Sequence, residues 1–155
     1  MAKRTAITAV FCVLMCVNAG ASMVSFYVIE TGVPENRREN QYSVFWENAF
    51  LDVFFDAGHI VCNAPILSLQ GGLSGDILHQ VNMLEVRDAG IDFVIIARLD
   101  YNSGAVPSEM FFYVFRVNPR EKLYERQLEG REARPVREEL EYMKTIARGL
   151  VTYVD

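Results

Sequence analysis

Apolar residues fall along this chain in bursts, some continuous and some at helical spacing, with turn-forming residues between them. The first burst, Ala6 to Val17, is broken only by Thr8, follows Lys3 and Arg4, and is succeeded by Ala19-Gly20-Ala21. A basic start, a short apolar core and a small-x-small end form the pattern of a secretory leader. Residues 1–21 are therefore expected to be a signal peptide cut between Ala21 and Ser22. The stretch is shorter than the roughly 20 apolar residues that cross a bilayer, so no transmembrane span is expected in the mature form.

Beyond the leader the pattern alternates between strand and helix. Met23 to Ile29 is β-branched and aromatic and reads as a buried strand ending near Thr31-Gly32. Tyr42 to Ala57 carries Phe45, Ala49 and Val53 on one stripe and Trp46, Phe50 and Phe54 on the next, which predicts a helix with a wide apolar face. Gly58 is its stop signal. His59 to Asn63 follows as a short strand, ended by Pro65.

Gln70 to Gly75 is a glycine-rich loop, and Ser74 is placed to cap a second helix with Ile77, Leu78, Val81, Met83 and Leu84 on its apolar side and Gly90 at its close. Ile91 to Tyr101 is continuously apolar over Phe93-Val94-Ile95-Ile96-Ala97, as a strand covered on both faces should be. Asn102-Ser103-Gly104 turns the chain out. Met110 to Val117 and Leu123 to Glu129 form a hairpin across Asn118 to Lys122. Pro135 opens a last helix whose stripe is Val136, Leu140, Met143, Ala147 and Leu150. The order β-α-β-α-β-β-β-α predicts an α/β (α+β) fold, a mixed sheet with three packed helices in one domain over residues 22–155.

Charge narrows the partners. The chain holds 15 Lys and Arg against 20 Asp and Glu. Loss of the leader removes Lys3 and Arg4 and no acid, so the mature formal charge is −7. That balance argues against nucleic acid and anionic membrane surfaces. Of the three cysteines, Cys12 and Cys16 lie in the leader, which leaves Cys62 without an internal disulfide partner. Cys16 is also the candidate lipidation residue, although Met15 stands where a lipoprotein leader carries a small residue.

Order and local signatures together resemble a superfamily of envelope proteins. The first signature is a helix ending in glycine before a short strand, Phe50 to Val61. The second is the passage Ala89-Gly90-Ile91-Asp92 running into Phe93-Val94-Ile95-Ile96-Ala97. The third is a hairpin whose second strand, from Leu123, ends in Gly130 ahead of an amphipathic helix. The chain is similar in these respects to the curli-secretion protein CsgG, the outer-membrane activators of penicillin-binding proteins (LpoB) and the N-terminal domain of TolB. It lacks the long amphipathic strands of a secretion pore and any following propeller. The resemblance implies a periplasmic or outer-membrane-associated, non-enzymatic module that binds an envelope protein without a cofactor. A ring-forming homo-oligomer is the structural alternative.

Candidate chemistry is sparse. Cys62 and His59 stand three apart on one short strand and so face opposite ways, which disfavours a nucleophile pair and leaves Cys62 as a buried small hydrophobe. His59 and His79 are the only histidines, too few for a zinc site. Asp52 and Asp56, one helical turn apart with Glu47 near, would be the carboxylates of a small hydrolase, the enzymatic alternative; acids on a solvated helix face are the simpler reading. Gly71 to Gly75 lacks the Lys-Ser/Thr ending of a phosphate-binding loop. In the hairpin, Phe111, Tyr113, Phe115 and Val117 make one apolar face, and Met110, Phe112, Val114 and Arg116 the other. If only one face is covered, Phe112 and Arg116 are the candidate interaction surface.

Overall fold

The computed structural model describes residues 21–33, 41–70, 73 and 75–155. Residues 1–20, with Cys16, and the Ser74 cap position lie outside them. Six strands form one sheet in the order β2-β1-β4-β5-β6, with β3 also paired to β1. They are β1 (Met23–Thr31), β2 (Ile60–Asn63), β3 (Leu67–Leu69), β4 (Phe93–Asp100), β5 (Glu109–Arg116) and β6 (Glu121–Glu129). β1 runs parallel to β2, β3 and β4, whereas β5 and β6 are antiparallel. The sheet is mixed, as the order of elements predicts.

Helix α1 (Gln41–Asp56) and helix α3 (Val136–Val151) lie on one face. Trp46, Phe50 and Phe54 of α1 and Met143, Ala147 and Leu150 of α3 bury against Phe26, Val28, Ile95, Phe112 and Val114. Gly58 ends α1 at φ +92°, a left-handed conformation that costs glycine little. The opposite face, bearing Ile29, Val94, Ile96, Tyr113 and Phe115, is covered by a 3-10 helix (Ile77–Gln80) and helix α2 (Met83–Asp88). With both faces covered, β4 is apolar at consecutive positions rather than alternating.

Three elements differ from expectation. The second helix is split. The Asp76 carboxylate accepts from the Leu78 N–H at 3.0 Å, Val81 turns extended, and Asn82 caps a fresh start by accepting from the Glu85 N–H at 3.3 Å. Two side-chain caps six residues apart interrupt the helix, so Leu84 points outward and is 61% exposed. Strand β3, three residues between Pro65 and Gln70, is too short for any periodicity; Ser68 Oγ donates to the buried Glu30 carboxylate at 2.7 Å and docks it on β1. In α3 the buried row is Glu139, Met143, Ala147 and Leu150, while Val136 sits exposed in the first turn.

Candidate functional site

The alternation of β4 sets Arg98 on the same face as Val94 and Ile96, beside Phe111 on β5. Its guanidinium carbon lies 3.7 Å from the centroid of the Phe111 ring, a stacked cation–π arrangement that fixes the side chain. Its Nε is buried and has no hydrogen-bond partner. Tyr113 and Phe115 continue the same face of β5, their rings 6.1 Å apart and nearly parallel at 16°.

A β-bulge shapes the next strand. The β5–β6 register skips Leu123, pairing Val114 with Tyr124 and Phe115 with Lys122. Leu123 and Tyr124 consequently both pack with the α1–α3 core. Lys122 and Glu125, three apart and so opposed in a regular strand, are brought to one side and form an ion pair. That pairing, through its hydrogen bond first, raises the Lys122 pKa, so the ammonium stays charged.

These residues line an open cleft of about 440 Å³, whose floor is Arg98, Tyr113 and Phe115. The 3-10 helix closes one side with Asp76, Ile77 and Leu78, and Arg120, Glu121, Lys122 and Glu125 form the other. Its volume is within the range of small-ligand and peptide pockets. Burial pushes the Tyr113 phenol above its ordinary pKa of 10.0, with Arg98 opposing; like any tyrosine it is an O–H donor at neutral pH. The three acids are all engaged: Asp76 caps the 3-10 helix, Glu121 accepts from Arg116 at 2.7 Å, and Glu125 holds Lys122. Arg98 and Arg120 have no ion-pair partner among the described residues.

The residues singled out from sequence lie elsewhere. Phe112 is fully buried, 4.9 Å from Trp46 and 6.0 Å from Phe50. It is core and no interaction surface, because α1 covers that face of the sheet. Arg116 is half-exposed and committed to Glu121. Ser22 Oγ donates to the Val154 carbonyl at 3.0 Å, tying the start of the described chain to the residues after α3. Cys62 is exposed on edge strand β2 rather than buried, since nothing pairs with the outer side of that strand among the described residues. His59 is buried with Nε2 3.5 Å from Asp155 Oδ1, and His79 is exposed. Asp52 pairs with Lys144 at 3.0 Å and Glu47 accepts from Asn63 at 2.7 Å, so these two acids face different partners. The described residues contain no cluster of three metal-ligating side chains and no helix long and apolar enough to cross a membrane. Arg98 had one sequence signal, a charge inside an otherwise apolar strand.

No protein-family profile and no curated protein matches the sequence. Among solved structures the chain is similar to a PelC dodecamer from Paraburkholderia phytofirmans, at 10% identity and TM-score 0.49, over 87% of this chain and 90% of that one. It is similar to TolB from Acinetobacter baumannii at 11% identity and TM-score 0.46, over 86% of this chain but 28% of TolB. The LpoB C-terminal domain from Salmonella enterica aligns at 12% identity and TM-score 0.41, over 79% of this chain and 92% of that domain. TolB and LpoB, to which the sequence signatures are similar, are both among these structures.

Proposed function

We propose that this chain is an exported interaction module of the cell envelope, which binds a partner protein and catalyses no reaction. The observation that carries the reading is the cleft between the 3-10 helix and the β5–β6 hairpin: an aromatic floor, a rim of fixed ion pairs and two arginines without a carboxylate. Such a mixture suits recognition of another chain, where charge sets orientation and aromatic area gives affinity. The leader pattern of residues 1–21 supports export, and the negative mature charge directs the choice towards protein.

Site-directed photo-cross-linking in cells of the source organism tests it, with the cross-linker at position 122 on the cleft rim or at position 148 on α3. The expected result is a discrete adduct with one envelope protein from position 122 alone, abolished by Arg98→Glu. Equal adducts from both positions, or an adduct indifferent to Arg98→Glu, would overturn the reading.

A further inference from the structure

We propose that the cleft recognises a carboxylate carried on an extended segment of the partner, with Arg98 as its anchor. This rests on the cleft being the partner-binding site. The charge pattern leads there first. Glu121 and Glu125 are paired with Arg116 and Lys122, and Asp76 accepts from the Leu78 N–H, which leaves Arg98 and Arg120 as the cleft cations without a carboxylate. A carboxylate is the group whose two oxygens match the fork of a guanidinium.

Arg98 is also held ready. Stacking on Phe111 fixes its plane before any ligand arrives, which lowers the ordering cost of binding. Tyr113, two residues along β5 from Phe111 and also on the cleft floor, carries a hydroxyl able to donate a second hydrogen bond.

The register gives the length. Across the sheet, Arg98 aligns with Phe111 and Gln127, then Ile96 with Tyr113 and Glu125, then Val94 with Phe115 and Lys122. Successive rows on one face are two residues apart, about 7 Å, so the first row and the third are separated by about 14 Å. Roughly four residues of extended chain cover that distance. Between Arg98 and the turn that carries Arg120 lie the stacked Tyr113 and Phe115 rings, a surface for aliphatic side chains. A segment with acidic residues at its first and fifth positions and an apolar residue at the third presents all of them to the cleft on one face. An anionic membrane would meet only the charges and would leave the ring surface and the spacing along it unused.

Fluorescence anisotropy on the purified protein tests this, with the labelled, C-terminally amidated peptide Glu-Ser-Val-Ser-Glu (the Glu-Val peptide, whose Lys-Val control has Lys for Glu). A Lys-Val peptide, inorganic phosphate and phosphatidylglycerol vesicles serve as competing probes. We expect saturable binding of the Glu-Val peptide, weakened about tenfold by Arg98→Gln, partly kept by Arg98→Lys and unchanged by Arg148→Gln. Should Arg98→Gln fail to fold by circular dichroism, Arg120→Gln at the exposed turn carries the same test, with a fall of about threefold. Equal binding of the Lys-Val peptide, indifference to the arginine variants, or Arg98-dependent binding of phosphate or vesicles in place of the peptide would overturn the proposal. An adduct from position 122 that persists alongside such a failure would retain the interaction module and reject only the acidic segment.

Discussion

The indole of Trp46 lies with its centroid 4.9 Å from the ring of Phe112, the two planes inclined at 48°. Helix α1 and the sheet are joined through this contact, and Phe50 and Tyr142 complete the aromatic group around it. Phe112→Ala leaves a cavity between α1 and β5 and is expected to cost about 3–5 kcal/mol. Trp46 is the only tryptophan, so its fluorescence reports the site directly. Urea titration should show an earlier midpoint with an emission shift to longer wavelength. An unchanged midpoint would place Phe112 outside the core.

Two glycines separate conformational strain from steric conflict. A Cβ at Gly130 would stand 2.6 Å from the Ser108 carbonyl oxygen, whereas one at Gly58 meets nothing within 4 Å but inherits φ +92°. Gly130→Ala is expected to cost at least about 2 kcal/mol, because backbone must move. Gly58→Ala should cost about 1 kcal/mol from strain alone. Thermal unfolding of both variants checks the order, and a milder effect at Gly130 would contradict the hairpin geometry.

The raised Tyr113 pKa makes a statement about alkaline pH. Burial is its main cause and acts against the phenolate, so the folded state releases this proton at higher pH than the unfolded state does. Below about pH 10 both states are protonated and the phenol has no effect on the balance; as pH rises through the folded value, stability falls. Tyr113→Phe should reduce that decline without altering stability at neutral pH. Tyr27 and Tyr42, raised by the same cause, should retain the rest of it. Denaturant titrations at neutral and alkaline pH decide the point, and an identical alkaline slope in the variant would count against it.

Asp52 and Lys144 form an ion pair between α1 and α3 at 3.0 Å. Both retain solvent contact, so Asp52→Asn is expected to cost no more than about 1 kcal/mol. The double variant Asp52→Asn/Asp56→Asn should keep the cross-link from position 122. Its loss in a folded protein would count against the cleft as the partner's site and place these acids in the contact.

Much of the fold is legible because burial leaves marks on sequence. The unbroken run Val94 to Ala97 announces a strand covered on both sides, and the paired stripes Phe45-Ala49-Val53 and Trp46-Phe50-Phe54 announce a deeply seated helix. What escapes is decided by contacts between distant residues. Ser68 on β3 has meaning only beside Glu30, and Asn82 becomes a cap only because the chain turns extended at Val81. The burial of Glu139 reflects how α3 is rotated on the sheet, which its own stripe does not specify. The cleft was hidden for the same reason: Lys122 and Glu125 share a side only through a bulge, and Arg98 is left uncompensated by acids that other residues occupy.

Strand β1 also sets an order of events. It begins at Met23, yet its neighbours are β2 from Ile60 on one side and β4 from Phe93 on the other. During synthesis or passage through a translocase an interior strand of the sheet is therefore made first and waits for both of its neighbours. Until some 70 further residues have emerged (the Met23 N–H bonds Asp92 across 69 positions), this aromatic, β-branched segment has one open edge. Loop closure over that distance slows assembly, and the waiting strand is what a holding chaperone would need to shield.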